Sequence, residues 1–199
     1  MQKDLLTDFL HLYHSLGHRR VVLGALLDHF DDDPEQVCRG STSELRAAGL
    51  DHDGVRKIRA RQHPQVARDQ AWAATDGNHL VHYQHGAYPE LLRQSKGYPV
   101  LLYASGNLPL LSAPQVAIVG SRNCTPGGAQ TAFDFAAQLA AAGLVITSGM
   151  ALGIDAAAHR GALHAGGKTI AVTGTGLDLI YPSANRELSA EIIERGLVI

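Results

Sequence analysis

The C-terminal part of the chain repeats one pattern, a short apolar run followed by a helical segment, and this pattern constrains the fold most strongly. The apolar runs are VAIVG (116–120), LVITSG (144–149) and TIAVTG (169–174), and a further run, GLVI, closes the sequence at 196–199. Continuous apolar strands that alternate with helices indicate β-α-β crossovers and a sheet buried on both sides. The sequence therefore predicts an α/β fold in which a parallel sheet has helices on both faces.

The first 76 residues have a different pattern, which is helical throughout. Six apolar residues fall at the three- and four-residue spacings of one helical stripe: Leu5, Leu6, Phe9, Leu12, Tyr13 and Leu16. A later segment begins with a capping box, Ser41 followed three residues on by Glu44, and the last helical segment is expected to break near Pro64. We therefore expect two domains, a small all-α domain at 1–76 and an α/β domain at 77–199.

The α/β domain is expected to begin with two further strands. HLVHYQ (79–84) alternates as a strand does, GAYPELLRQS (86–95) has the pattern of a turn and a short helix, and PVLLYASG (99–106) is a second apolar strand. Because the sequence stops inside its last apolar run, the repeat alone would form an incomplete sheet. We expect either that the sequence is a truncated piece or that a partner completes the domain at its C-terminal end.

The charge of the chain is close to balanced. Its 199 residues include 17 basic and 19 acidic side chains, which gives a net charge of −2. A non-specific duplex binder has a strongly basic body, so any polyanion site must be local, with a few cations supported by backbone N–H groups. No apolar run is long enough to span a bilayer, the N-terminus lacks the features of a signal peptide, and the two cysteines, Cys38 and Cys124, lie far apart. We therefore expect a cytoplasmic protein with free thiols.

Small residues follow each strand of the repeat. They are Gly120 and Ser121 after the first strand, Ser148 and Gly149 after the second, and Gly174 after the third. In open α/β sheets, ligands bind outside the carboxyl ends of the strands, where the strand order reverses, and small residues let a ligand approach the backbone. Arg122 precedes a predicted helix N-terminus, which favours an anion, and its guanidinium suits phosphate oxygens. The alternative is that the glycines only permit tight turns and that Arg122 pairs with Asp155 or Asp178.

Other classes of ligand fit the sequence poorly. The dinucleotide fingerprint GxGxxG is absent, and Gly167-Lys168-Thr169 precedes a strand rather than a helix, unlike a Walker loop. Lys168 is interpreted either as a cation at the rim of the sheet or as a solvated loop lysine. His79, His82 and His85 recur at every third residue, a spacing that does not converge on one side of a strand, so we expect no metal site. We also expect no cofactor and no catalytic residue.

Four blocks of sequence occur in the order of one known family. They are GSR (120–122), SGMALGIDAAAHRGAL (148–163), GGKTIAV (166–172) and GLDLIYPSANREL (176–188). Together they resemble the DNA-processing protein A family, also called DprA or Smf. The resemblance implies a Rossmann-like domain behind a helical SAM-like module, and a protein that binds single-stranded DNA. It further implies that the protein protects incoming DNA, promotes RecA loading in natural transformation and homologous recombination, and forms a homodimer through the Rossmann-like domain.

The resemblance also assigns roles to residues. Arg122 and Lys168 would contact the DNA backbone, while Ser121, Gly149 and Gly174 would shape the pocket. Three matching residues, Asp155, His159 and Asp178, are expected to orient loops by hydrogen bonds. The N-terminal module is similar to helix-hairpin-helix domains, although its hairpin, SLGHRRVV, has a single glycine. Its basic residues either touch phosphates or are charges on a solvated face; they are Arg19, Arg20, Arg56, Lys57, Arg59 and Arg61.

Two alternatives to this function stay open at the level of sequence. Parts of the repeat also resemble the lysine-decarboxylase-like group of Rossmann proteins, which are nucleoside-monophosphate phosphoribohydrolases. The N-terminal module could instead serve only protein interaction. Five tyrosines offer either stacking surfaces for unpaired bases or packing contacts; they are Tyr83, Tyr88, Tyr98, Tyr103 and Tyr181.

Overall fold

The computed structural model describes residues 2–17, 20–60 and 63–199, which form two compact units, Met1–Ala74 and Thr75–Ile199. The N-terminal unit is helical and the C-terminal unit is built around a sheet. Within the described ranges, each helix is too short or too polar to cross a membrane.

The helices of the N-terminal unit pack around leucine and phenylalanine side chains. They are α1 (Gln2–Leu16), α2 (Arg20–His29), α3 (Pro34–Arg39), α4 (Thr42–Ala47), α5 (His52–Ala60) and α6 (Pro64–Ala73). The predicted stripe of α1 contributes Phe9, Leu12 and Leu16 to the core, whereas Leu5 at its start is exposed. Burial of these side chains removes apolar surface from water and holds the short helices together.

Helix boundaries in this unit follow the capping chemistry. The capping box is confirmed, since Ser41 Oγ accepts the Glu44 N–H at 3.2 Å and Glu44 Oε2 accepts the Ser41 N–H at 2.6 Å. The predicted break is confirmed as well, because α5 ends at Ala60 and α6 begins at Pro64, whose missing N–H is tolerated in the first turn.

The C-terminal unit contains a six-stranded sheet among its described residues. The strands are β1 (Asn78–His82), β2 (Leu101–Gly106), β3 (Gln115–Ala117), β4 (Val145–Ser148), β5 (Thr169–Ala171) and β6 (Leu197–Val198). The helices are α7 (Glu90–Arg93), α8 (Pro126–Ala141), α9 (Ile154–His164) and α10 (Arg186–Arg195), with 3₁₀ turns at Leu108–Ser112 and Ser183–Asn185. The predicted strands and helices of this unit are all present, and the fold class is confirmed.

The strand order is β1-β2-β6-β5-β4-β3. Strands β3 to β6 pair in parallel, whereas β1 pairs antiparallel with β2 and β2 pairs antiparallel with β6. The four parallel strands therefore lie in the order in which they occur in the chain. A reversal of strand order was expected to mark the ligand site, but the four parallel strands that the structure describes contain no such reversal. The location of a site is therefore indicated only by the edge at which the carboxyl ends of these strands lie.

The two faces of the sheet have different cover. Helices α8, α9 and α10 pack on the face that presents Ile146, Ala171 and Val198, because successive right-handed crossovers in one direction stay on one side. The other face presents Val145, Ile170 and Leu197, which pack against the 3₁₀ turn at Leu108–Ser112. The three long helices thus lie on one face, and the described cover of the other face is a 3₁₀ turn rather than an α-helix.

Helices α8 and α9 approach each other closely at Gly161. A Cβ atom on this residue would lie 2.2 Å from the backbone oxygen of Phe133, which is too close for any real contact. Because the obstructing atom belongs to the backbone of α8, no side-chain rotation relieves the clash. Gly161 therefore fixes the distance at which α9 packs over the sheet, and with it the position of the loop that precedes α9.

We predict that Gly161→Ala destabilises the protein by about 2 kcal/mol or more, because the added methyl group forces α8 and α9 apart. The intrinsic helix preference of alanine, about 1 kcal/mol over glycine, acts in the opposite direction. Urea unfolding measures the change. Gly127→Ala in α8 is the matched control, since its Cβ meets open space. Equal stabilities of the two variants would contradict the prediction.

Candidate functional site

Loops at the carboxyl ends of β4 and β5 enclose a small cavity together with the loop after β3. Its volume is about 230 Å³, and its lining residues are Arg122, Gly149, Ala151, Leu152, Thr173, Gly174, Thr175, Tyr181 and Pro182. Small-molecule pockets usually span about 300 Å³ or more. This cavity therefore fits one chemical group of a larger ligand, such as a phosphate with part of its nucleoside.

Three of the predicted site residues meet at this cavity, namely Arg122, Gly149 and Gly174. Gly120 and Ser121 lie just before Arg122 and outside the lining. Gly120 has no room for a side chain, because its Cβ would lie 2.7 Å from Ile154. Ser121 Oγ accepts the Asn123 N–H at 3.1 Å and so shapes the loop that presents Arg122.

Ser148 does not line the cavity and has a structural role instead. Its side chain is buried, and its hydroxyl donates to the Ile118 carbonyl at 2.6 Å. This hydrogen bond ties the end of β4 to the segment that leaves β3. Ser148 thus supports the loop of Arg122 without facing a ligand.

The structure does not bring Lys168 to the cavity. Lys168 directly precedes β5, whereas the cavity lies beyond the other end of that strand, at Thr173 to Thr175. Five residues of extended chain at ~3.3 Å each separate Lys168 from Thr173 by ~16 Å. One phosphate group cannot contact both Lys168 and Arg122, so the predicted pairing of these two cations in one pocket is corrected.

The helix N-termini contribute less to an anion site than expected. Helix α8 begins at Pro126, which has no N–H, and Thr125 Oγ1 accepts the Gly128 N–H at 3.1 Å. At the start of α9, the Ile154 N–H donates to the Ser121 carbonyl at 3.2 Å, and the buried carboxylate of Asp155 occupies the first turn. Both helix ends are therefore largely satisfied by the protein itself.

The remaining donors are a side chain and free backbone amides. Arg122 is exposed and forms no ion pair with any described residue, so its predicted alternative partners, Asp155 and Asp178, do not neutralise it. Four residues that line the cavity have backbone N–H groups with no intramolecular acceptor among the described residues; they are Gly149, Leu152, Gly174 and Thr175. One guanidinium and several neutral N–H groups form a concave site that suits an anion.

Part of the lining of the cavity is apolar. Tyr181 is 67% exposed and Leu152 is 45% exposed, and Pro182 and Ala151 lie beside them. The sequence left Tyr181 among five tyrosines of undecided role and did not single out Leu152 or Pro182. Of the other lining residues, Thr173 and Thr175 could have been predicted from the sequence, because they follow β5 in the chain just as Arg122 follows β3.

The three residues assigned to loop support differ in what they do. Asp155 Oδ2 accepts the Ala151 N–H at 3.3 Å, which confirms its role in the loop before α9. Asp178 is exposed and makes no hydrogen bond within the described chain, so the role predicted for it is wrong. The cause is that its loop is held by other atoms, including Thr175 Oγ1, which donates to the Leu179 carbonyl at 3.1 Å.

His159 has a structural role, as predicted. It is fully buried, and its Nδ1 lies 2.7 Å from Thr169 Oγ1, which in turn donates to the Ile146 carbonyl at 2.6 Å. Because the threonine proton is directed to that carbonyl, His159 Nδ1 carries the hydrogen and donates it. Burial lowers the pKa of His159 to about 4, so the ring is neutral at pH 7 and joins α9 to β4 and β5.

The described basic residues Arg56, Lys57 and Arg59 of the helical unit bond to groups within that unit. Arg56 and Lys57 both pair with Asp53, at 2.5 and 2.8 Å, and Arg59 donates to the Gly40 carbonyl. The hydrogen bonds from Lys57 and Arg56 lower the pKa of Asp53 to about 2. Arg19, the side chain of Arg20 and Arg61 lie outside the described residues. The described part of this group therefore behaves as charges on a solvated face.

The histidines of the first strand lie apart from the cavity. His79 and His82 belong to β1, and His85 follows in a turn whose N–H donates to the His82 carbonyl at 2.8 Å. Burial and the neighbouring His85 lower the pKa of His82 to about 4. The described residues contain no group of three histidine, cysteine or acidic side chains placed to hold a metal ion.

Comparisons with known proteins bear on the whole C-terminal unit. Residues 79–199 match the sequence model of a family described as DNA recombination-mediator protein A. DNA processing protein DprA from Streptococcus pneumoniae is 51% identical over 112 residues, which are 56% of this chain and 39% of that protein. Protein Smf from Escherichia coli is 34% identical over 152 residues, 76% of this chain and 41% of that protein. The chain thus spans about two fifths of the length of these curated relatives.

Solved structures resemble the chain as well. The X-ray structure of DNA processing protein A from Streptococcus pneumoniae matches with a TM-score of 0.79 and 32% identity, over 97% of this chain and 66% of that one. DNA processing protein A from Helicobacter pylori, whose structure concerns its single-stranded DNA binding mode, matches with a TM-score of 0.52 and 40% identity, over 55% of this chain and 50% of that one.

We predict that His159→Gln flattens the dependence of stability on pH. The folded wild-type protein keeps His159 neutral down to about pH 4, whereas the unfolded chain takes up the proton below about pH 6.5. The free energy of unfolding therefore falls as the pH is lowered through this window, by about 3 kcal/mol in total from this one ring. Glutamine keeps a donor for Thr169 but does not titrate.

Urea unfolding of both proteins between pH 7.5 and 4 checks this prediction. The comparison at pH 7.5 isolates any loss of packing, because the wild-type ring is neutral there. The difference in unfolding free energy between the two proteins should then shift in favour of the variant as the pH falls. Parallel pH profiles for wild type and variant would refute the assignment.

Proposed function

Because this chain belongs to the DNA recombination-mediator protein A family, we propose that it binds single-stranded DNA in the cavity at the carboxyl edge of its sheet. The observation that carries the proposal is a cavity that three kinds of residue line together: Arg122, which has no ion-pair partner among the described residues, four residues whose backbone N–H groups have no acceptor there, and the exposed Tyr181. A phosphodiester group is an anion that this set of donors suits, and the adjacent base is a planar group that Tyr181 can stack on.

Arg122 supplies the charge of the proposed phosphate site. Its planar fork can donate two hydrogen bonds to the oxygens of one phosphate, which a lysine cannot do. The neutral amides of Gly149, Leu152, Gly174 and Thr175 add donors without adding charge. Electrostatic attraction is therefore limited to one cation, and we expect DNA affinity to depend only weakly on salt.

Tyr181 and Leu152 favour single strands over duplex. In a duplex, each base is stacked on its neighbours and paired, so its faces are not free for a side chain. An unpaired base next to a phosphate at Arg122 can lie against the exposed Tyr181 ring. Stacking accepts any base, so we propose that the site reads little sequence.

We propose that the site binds without catalysing a reaction. The described lining contains no carboxylate, imidazole or thiol, so it has no general base of these kinds to activate a water molecule or the hydroxyls of Thr173, Thr175 and Tyr181. This composition disfavours the phosphoribohydrolase alternative, which needs an activated water at a nucleoside monophosphate. His159 cannot serve, since it is fully buried.

The wider role is proposed from the family. We propose that the protein acts in the cytoplasm, protects incoming single strands and promotes RecA loading during natural transformation and homologous recombination. The structure of the Helicobacter pylori relative concerns single-stranded DNA binding by that protein, which supports the first step.

We also propose a homodimer through the sheet-bearing unit; its exposed Val119 and Phe135 offer apolar contact area. Sedimentation of the purified chain tests the dimer.

We predict that Arg122→Ala weakens binding of labelled oligo-dT at least tenfold and lowers the log–log salt slope by about 0.7, the contribution of one phosphate contact to a single strand. Fluorescence anisotropy between 50 and 200 mM salt measures both quantities. Lys168→Ala should weaken binding much less, because Lys168 lies beyond the other end of β5. Arg160→Ala is the matched control, since this exposed arginine of α9 lies outside the cavity.

Circular dichroism of each variant separates loss of binding from loss of structure. Equal effects of Arg122→Ala and Arg160→Ala would refute the assignment of the site. Tighter binding to duplex than to oligo-dT would refute the preference for single strands. Release of adenine from AMP, lost in Arg122→Ala, would instead establish the phosphoribohydrolase alternative.

We predict that Tyr181→Ala weakens oligo-dT binding by about 5- to 150-fold, the range for loss of one base-stacking contact, and leaves the salt slope unchanged. Tyr181→Phe should bind like wild type, because the ring is what the base contacts. Leu179→Ala is the control: Leu179 is also exposed on the same loop but does not line the cavity. Fluorescence anisotropy titrations with oligo-dT measure these affinities. If Tyr181→Phe lost as much affinity as Tyr181→Ala, the result would contradict base stacking on the ring.

A further inference from the structure

We infer that Asn185 is a positioning residue for the DNA site: its side-chain amide locks the loop before α9 and links the segment that carries Tyr181 to the loop that carries Arg122. This inference rests on the proposed function. Asn185 itself does not line the cavity. Its effect on DNA is exerted through the loop at 149–153.

The loop at 149–153 has a backbone that needs external support. Met150 has a φ of 60°, a left-handed conformation that is uncommon for a residue with a side chain, and its side chain is buried in the core with Leu188 and Ile192. Gly149 and Leu152, which flank it, supply two of the four free amides of the cavity. A small change of φ at Met150 would redirect these donors.

Asn185 supplies that support directly. Its Nδ2 donates to the Met150 carbonyl at 2.8 Å and lies 3.3 Å from the Ala151 carbonyl, and the residue is almost fully buried. Asn185 also occupies the N-cap position of α10, where an asparagine side chain ordinarily accepts an N–H from its own helix. It makes no such bond here. The side chain is committed to the loop instead of to the helix it precedes.

Asn185 also connects two walls of the cavity. Its own N–H donates to the Pro182 carbonyl at 3.0 Å, and Pro182 and Tyr181 line the apolar wall. On the far side of the loop, Gly153 approaches the backbone of Ser121 so closely that a Cβ would lie 2.3 Å from the Ser121 oxygen. The loop at 149–153 thus touches the Arg122 segment on one side and is bonded to Asn185 on the other.

Asn185→Asp tests the inference, because it preserves the size of the side chain but removes both N–H donors. Aspartate is as good an N-cap as asparagine, but here it places a carboxyl group in a buried site without a donor, so we expect a lower thermal midpoint. Binding is therefore compared at a temperature at which circular dichroism shows the variant to be folded. At pH 7.5 the carboxylate faces two carbonyl oxygens, and we expect oligo-dT affinity to fall about tenfold or more. Lowering the pH to about 5 protonates a carboxyl group in this setting and restores one donor, so affinity should partly recover.

Two further variants make the result specific. Asn185→Ser is also a good N-cap, but its short hydroxyl does not span the distance to the loop and does not titrate, so it should lose affinity without recovery at low pH. Ser189→Ala removes a buried hydroxyl from the same region of α10 and should bind like wild type. Wild type measured over the same pH range accounts for Asp155, the titratable group that also bonds the loop.

Hydrogen exchange of residues 149–153 is the readout that does not depend on DNA. Faster exchange in Asn185→Asp together with weaker, pH-recoverable binding supports the inference. Faster exchange with unchanged affinity overturns it, as does unchanged exchange. If wild type itself fails to bind oligo-dT, the proposed function fails, and the exchange data alone then decide whether Asn185 holds the loop.

Discussion

The site depends on a backbone-to-backbone contact between the first two loops at the carboxyl edge of the sheet. The Ile154 N–H donates to the Ser121 carbonyl, and neither Gly120 nor Gly153 has room for a Cβ atom. Gly153 additionally has a φ of 79°, which a residue with a side chain rarely adopts. Any larger residue at either glycine would force apart the loop of Arg122 and the loop at 149–153, which line the same cavity.

This contact explains why the proposed anion site relies on a side chain. Helix N-termini are the usual source of N–H groups for phosphate in α/β proteins. Here the start of α9 is bonded to the Ser121 carbonyl and carries Asp155, and the start of α8 has Pro126 and the cap of Thr125. The helix ends stabilise the loops, and the charge for a ligand is left to Arg122.

The sequence was sufficient where the determinants are local. The alternation of strands and helices, the capping box at Ser41 and the small residues at the strand ends follow from patterns within a few residues. The position of Arg122 after β3 followed in the same way. Lys168 precedes a predicted strand and Arg122 follows one, so the sequence alone could have predicted that they lie at opposite ends of the sheet. The family resemblance instead led to the prediction that both contact the DNA backbone in one pocket.

The rest of the site arises from contacts between distant parts of the chain. Asn185 lies more than thirty residues from the Met150 carbonyl that it bonds. The exposure of Tyr181 and its place beside Arg122 depend on how the segment after β5 folds back. Nothing in the local pattern of YPSAN distinguishes a tyrosine that packs in a core from one that lines a cavity, because both need the same aromatic ring.

A cavity with a single cation has a kinetic consequence for a polymeric ligand. One guanidinium and a few neutral donors hold any one phosphate briefly, so a strand exchanges quickly at an individual site. Several copies arranged along one strand raise the effective concentration of each contact, since a released nucleotide remains near the next site. For the single-stranded DNA proposed as the ligand, retention of the strand is then a collective property of several bound copies, while each copy remains easy to displace.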